Sequence, residues 1–101
     1  MRLRADQTRD IVRIVRMHFG DDADVRLFGS RLDDDARGGD VDLLVESSRR
    51  PTPMQRARAT MALERALGLP VDIVTAVKGE AGTPFEQIAR RDARPIAEQA
   101  P

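Results

Sequence analysis

Cysteine is absent from the 101-residue chain, which excludes disulfides, thiolate nucleophiles and zinc–thiolate sites. Histidine occurs once, at His18, so a multi-histidine metal centre is excluded as well. Lysine also occurs once, at Lys78, within a Lys plus Arg total of 17. Cationic contacts to phosphate are therefore expected from guanidinium groups, with backbone N–H groups beside them. An excess of either charge is lacking too, because 17 basic and 17 acidic residues cancel at pH 7. No overall basic field is left to draw in nucleic acid. No apolar run approaches the ~20 residues that span a bilayer. The basic N-terminus MRLRADQTRD is not followed by the apolar stretch of a signal peptide. A cytoplasmic location, with no membrane partner, is the expectation.

What is present is globular in character: 41% hydrophobic and 34% charged residues. The chain reads as a single domain over 1–101, with a core at about 7–92 and a frayed tail at 95–101. Ile11, Ile14, Val15, His18 and Phe19 recur at i, i+3, i+4, i+7 and i+8, the stripe of an amphipathic helix that Gly20 stops. DVRLF at 24–28 and VDLLV at 41–45 read as strands, separated by a short turn or helix after Gly29-Ser30. Thr52-Pro53 with Gln55 forms a capping box that opens a helix running to Leu67, with Gly68 at its end. LPVDIVT at 69–75 is a third strand, and Thr83-Pro84-Phe85-Glu86 repeats the capping pattern before a last helix to about Arg91. The fold class is α/β (α+β), a small mixed sheet of three to four strands flanked by helices in the order α-β-α-β-α-β-α.

Alternation along the strands separates two kinds of surface. Val41, Leu43 and Val45 share an apolar face, whereas Asp40, Asp42 and Leu44 share the other. In PVDIVT, Asp72 and Val74 lie opposite Val71 and Ile73. If the two strands are neighbours, Asp40, Asp42 and Asp72 converge on one patch of sheet. A D-x-D can simply be the solvent face of a strand. Against that, two like charges about 4 Å apart repel by about 4 kcal/mol at an effective dielectric of 20, a large share of a small domain's stability. Neither strand contains a Lys or Arg to offset this. A divalent cation resolves it directly, and Mg²⁺ suits carboxylates that must also leave room for phosphate.

Gly29 and Ser30 stand at the end of the first strand. Gly29 allows close backbone approach, and Ser30 either donates to a phosphate oxygen or caps a helix with Asp33 three residues on. Asp33, Asp34 and Asp35 read as a solvated loop, since three consecutive side chains cannot converge on one ion. Arg31 either reaches the phosphates or is a solvated surface residue, and Arg37 has the same two readings. His18 reads as a packed, hydrogen-bonded core edge rather than a catalytic base. Arg90, Arg91 and Arg94 suit the negative end of the last helix dipole, with an RNA or partner contact as the alternative.

FGSR, nine residues after Ser30, then D-V-D in a strand and Asp72 in a later one resembles the signature of the DNA polymerase β-like nucleotidyltransferase superfamily. The likeness is strongest to its smallest branch, the minimal nucleotidyltransferases, many of them similar to antitoxins paired with a HEPN-domain toxin. It extends from the first helix through Asp72, with a spacer at the short end of the family range. The resemblance implies that Gly29, Ser30 and Arg31 bind the nucleotide, and that Asp40, Asp42 and Asp72 are catalytic and hold two Mg²⁺ ions. It implies transfer of a nucleoside monophosphate, with ATP as donor, to a hydroxyl acceptor on a partner HEPN toxin. Two alternatives stay open: a non-catalytic module that masks a partner's surface, and a transferase acting on a small molecule or an RNA end.

Overall fold

The computed structural model describes residues 3–29 and 41–96. Within them the chain forms α1 (Ala5–Phe19), β1 (Asp24–Phe28), β2 (Val41–Ser47), α2 (Pro53–Leu67), β3 (Val71–Val77), α3 (Pro84–Asp92) and β4 (Arg94–Pro95). The short turn or helix expected after Ser30 lies outside the described residues.

The sequence patterns that announce the helices take the expected form. In α1, Ile11, Ile14, Val15 and Phe19 are buried along one stripe. His18 stands at its margin, half-buried, with its Nδ1–H donating to the Ile14 carbonyl at 2.9 Å. Both capping boxes form. Thr52 Oγ1 accepts from Gln55 N at 3.0 Å while Gln55 Oε1 accepts from Thr52 N at 2.8 Å. Thr83 and Glu86 make the same reciprocal pair at the start of α3. Each such cap is worth about 1 kcal/mol, because it satisfies amide groups that the first turn leaves without helical partners.

The strands form one mixed sheet in the order β3-β2-β1-β4. β1 runs antiparallel to β2 and β4, and β2 runs parallel to β3. One face carries Val25, Leu27, Val41, Leu43, Val45, Val71 and Ile73, and it packs with Ile11, Val15, Ala59 and Leu63 of α1 and α2. Each large aliphatic side chain buried there contributes roughly 1.5–3 kcal/mol.

The second face is not left to solvent. Leu44 of β2 and Ala76 of β3 are fully buried with Ala89 of α3, and Phe28, Val74 and Ala93 pack around them. The chain then returns beside β1, where Arg26 pairs with Pro95 and Leu27 with Arg94. A proline is tolerated because β4 is an edge strand. Ile96 follows into the main core, which also includes Leu3. Pro95 and Ile96 are thus held by the fold, although the sequence reading assigned them to the tail. No described helix is long and apolar enough to cross a membrane.

Arg90 is the hub that fastens α3 to the sheet. Its Nε donates to Glu46 Oε2 at 3.2 Å, and Glu46 also pairs with Arg26. Its Nη1 donates to the carbonyls of Glu80 (2.5 Å) and Ala81 (2.8 Å), and Nη2 to that of Val77 (2.9 Å). Of the three C-terminal arginines, Arg91 is instead an exposed partner of Asp92, and Arg94 stands in β4. Arg90 and Arg91 both stand in the last turn of α3, where the dipole favours a cation, and Arg90 in addition binds carbonyls at the end of β3 and in the β3–α3 connection. Replacing Arg90 with Ala is expected to cost about 2–4 kcal/mol, measured by urea unfolding. Arg90→Lys should recover less than half of that loss, since an ammonium lacks the planar fork that reaches several acceptors.

Candidate functional site

Register places Phe28 opposite Asp42, and Asp42 beside Asp72. Their chain neighbours Leu27, Leu43 and Ile73 point into the main core. Alternation therefore puts Phe28, Asp42 and Asp72 in one row on the other face. The next row is Arg26, Leu44 and Val74, and the third is Asp24, Glu46 and Ala76. The α3 helix covers Leu44, Val74 and Ala76 through Ala89 and reaches Glu46 through Arg90, while Asp24 at the margin stays exposed. The carboxylate row stands at the edge of that cover, with Asp42 half-buried and Asp72 exposed. Asp42, Leu44 and Val74 share a face as expected, but α3 divides that face into an apolar patch and an acidic lip.

Adjacent strands lie about 4.8 Å apart, so the two aspartates are held as neighbours by the backbone itself. Among the described residues, the Asp72 side chain makes no hydrogen bond or ion pair. Gly29 directly follows β1 with a φ of 76°, in the left-handed region. A Cβ built on Gly29 would fall 2.5 Å from Asp42 Oδ2 and 3.1 Å from its Cγ. The Asp42 carboxyl therefore occupies the space that a side chain at 29 would need. Two demands, positive φ and carboxylate clearance, coincide on one residue and leave only glycine.

Ser30, Arg31 and Asp40 lie outside the described residues. Among the described residues, no three His, Cys, Asp or Glu side chains form a metal-ligating group. The donor chemistry of Asp42 and Asp72 nevertheless suits a hard divalent cation, which prefers carboxylate oxygens. Two carboxylates elsewhere sit below the usual range: Asp6, hydrogen-bonded by the Arg4 guanidinium, and Asp22, hydrogen-bonded by Ser48. Ser48 follows the end of β2 remote from Asp42, and Asp6 lies in the first turn of α1.

Sequence reasoning passed over Glu64. Its Oε2 accepts from Val71 N at 2.9 Å, anchoring the residue before Asp72 to α2. A signal was available: a glutamate in the last turn of a helix faces the negative end of the dipole and calls for a compensating donor.

Gly29→Ala is expected to lose about 1–3 kcal/mol, from the forced positive φ together with displacement of Asp42. Chemical denaturation of the variant measures it, and a change below 0.5 kcal/mol would contradict the contact with Asp42.

The family described as "Nucleotidyltransferase domain" matches residues 8–97. A solved structure described as that of a "putative minimal nucleotidyltransferase" is 32% identical, with a TM-score of 0.68 over 89% of each chain. No curated protein matches. The match takes in both strands that carry Asp42 and Asp72, and it agrees with the three helices and mixed four-stranded sheet. The chain belongs to the nucleotidyltransferase domain family and is of the minimal type.

Proposed function

We propose that this protein transfers the nucleoside monophosphate of a triphosphate, with ATP as donor, to a hydroxyl group on a partner protein. The observation that carries this reading is the pairing of Asp42 with Asp72 across two parallel strands in a chain of this family. The likeness of FGSR and GGDVDLL to antitoxins paired with HEPN toxins supports a toxin side chain as acceptor.

In this scheme Gly29, Ser30 and Arg31 hold the triphosphate, and Asp40, Asp42 and Asp72 hold Mg²⁺. Bound there, the metal supplies charge neutralisation for the triphosphate and the departing pyrophosphate. Asp72 takes the proton of the acceptor hydroxyl. The acceptor oxygen bonds to the α-phosphorus, the bond from that phosphorus to the α–β bridging oxygen breaks, and pyrophosphate leaves. The strand backbone holds Asp42 and Asp72 in place, so little reorganisation is needed as the carboxylates engage.

Incubation with α-labelled ATP, Mg²⁺ and the product of the neighbouring gene is expected to label that product. Asp42→Asn and Asp72→Asn should each lower labelling by ~100-fold or more, and chelation of the metal should abolish it. Neutralisation of the partner that persists in the double variant, without label in the wild type, would show a masking module instead of a transferase.

A further inference from the structure

Phe85 has no evident duty in the core. The apolar cluster beneath α3 is closed by Leu44, Ala76 and Ala89 with Phe28, Val74 and Ala93, and Phe85 remains 57% exposed. This is one of only three phenylalanines in a chain without Trp or Tyr. Its ring stands against Phe28 in a T-shaped contact, with centroids 6.4 Å apart and planes at 74°. Phe28 is the register partner of Asp42, so the aromatic pair borders the carboxylate row directly.

We propose that Phe85, braced by Phe28, is the platform on which the nucleobase of the incoming triphosphate stacks. This rests on the nucleotidyl-transfer reading above and extends it to base recognition. A T-shaped contact occupies at most one face of either ring, so an aromatic face stays open to a second planar group. Ile88, three residues on along the same side of α3, is also 47% exposed and broadens the shelf. The position of Phe85 is fixed by Pro84 and the Thr83–Glu86 capping box around it. Ordering the ring on binding therefore requires little loss of backbone freedom. Stacking on a hydrocarbon ring reads flatness and size rather than hydrogen-bonding edges. The platform accepts any base and favours purines through their larger overlap.

The test compares Mg²⁺-dependent binding of ATP and of inorganic tripolyphosphate, which has no base, to the wild-type chain, Phe85→Ala and Phe85→Trp. Thermal unfolding of each variant controls for folding. Phe85→Ala should weaken ATP binding roughly 5- to 100-fold, leave tripolyphosphate binding unchanged, and keep the wild-type Tm; Phe85→Trp should restore ATP affinity. Equal ATP affinity in wild type and Phe85→Ala overturns the platform while leaving the transfer reading intact. So does a loss shared by tripolyphosphate. If the wild-type chain binds neither ATP nor tripolyphosphate with Mg²⁺, the transfer reading fails and the platform falls with it.

Discussion

The parallel register of β2 and β3 is the constraint on which the rest of the site depends. It is set at both ends by backbone hydrogen bonds, Val41 N to the Pro70 carbonyl and Lys78 N to the Ser47 carbonyl, each 2.9 Å. Glu64 holds the start of β3 from the outside through Val71 N. A slip of one residue would send Asp72 into the core face and expose Ile73, because side chains alternate with a period of two. The seven consecutive pairings from Val41–Val71 to Ser47–Val77 make that slip a loss of the whole apolar face. Burial of Leu43 and Ile73 therefore keeps two like charges side by side on the opposite face.

The second face shows how a small sheet combines stability with chemistry. Leu44 and Ala76 are covered by Ala89, and the cover is fastened by Arg90 through Glu46 and three carbonyls. Partly buried charges are tolerated there because each guanidinium nitrogen of Arg90 meets an acceptor. The cover stops short of the two acids, so Asp72 is exposed and Asp42 half-buried while Leu44 and Ala76 behind them are fully buried. At the same margin, Gly29 gives up its side-chain volume to the Asp42 carboxyl. A flexible residue is thus used to fix a charged one.

Much of this was legible in the chain. The stripe Ile11, Ile14, Val15 and Phe19 announced α1, and the two Thr-Pro capping boxes announced α2 and α3 within a residue of their starts. Alternation in VDLLV and PVDIVT separated the carboxylates from the core, since local periodicity survives folding unchanged. Strand β4 was not legible, because two residues that include a proline carry no strand pattern and owe their place to the edge of β1. The roles of Arg90 and Glu64 were equally hidden: Arg90 meets carbonyls and a carboxylate in the sheet and the β3–α3 connection, and Glu64 meets an amide beyond its helix. No spacing rule reports such partners.

The sequence by itself determined which residue types stand where: acids alternating with aliphatics in two strands, a glycine at the end of another, and no thiol or histidine set to compete with oxygen chemistry. Side-chain period and capping are properties of a few consecutive residues, so they can be read without the fold. The tertiary structure alone decided that Asp42 and Asp72 are lateral neighbours, that Asp42 fills the space beside Gly29, and that α3 leaves their row open with Phe85 beside it. Those are distances between segments far apart in the chain, and they arise only when burial of the apolar faces selects one register.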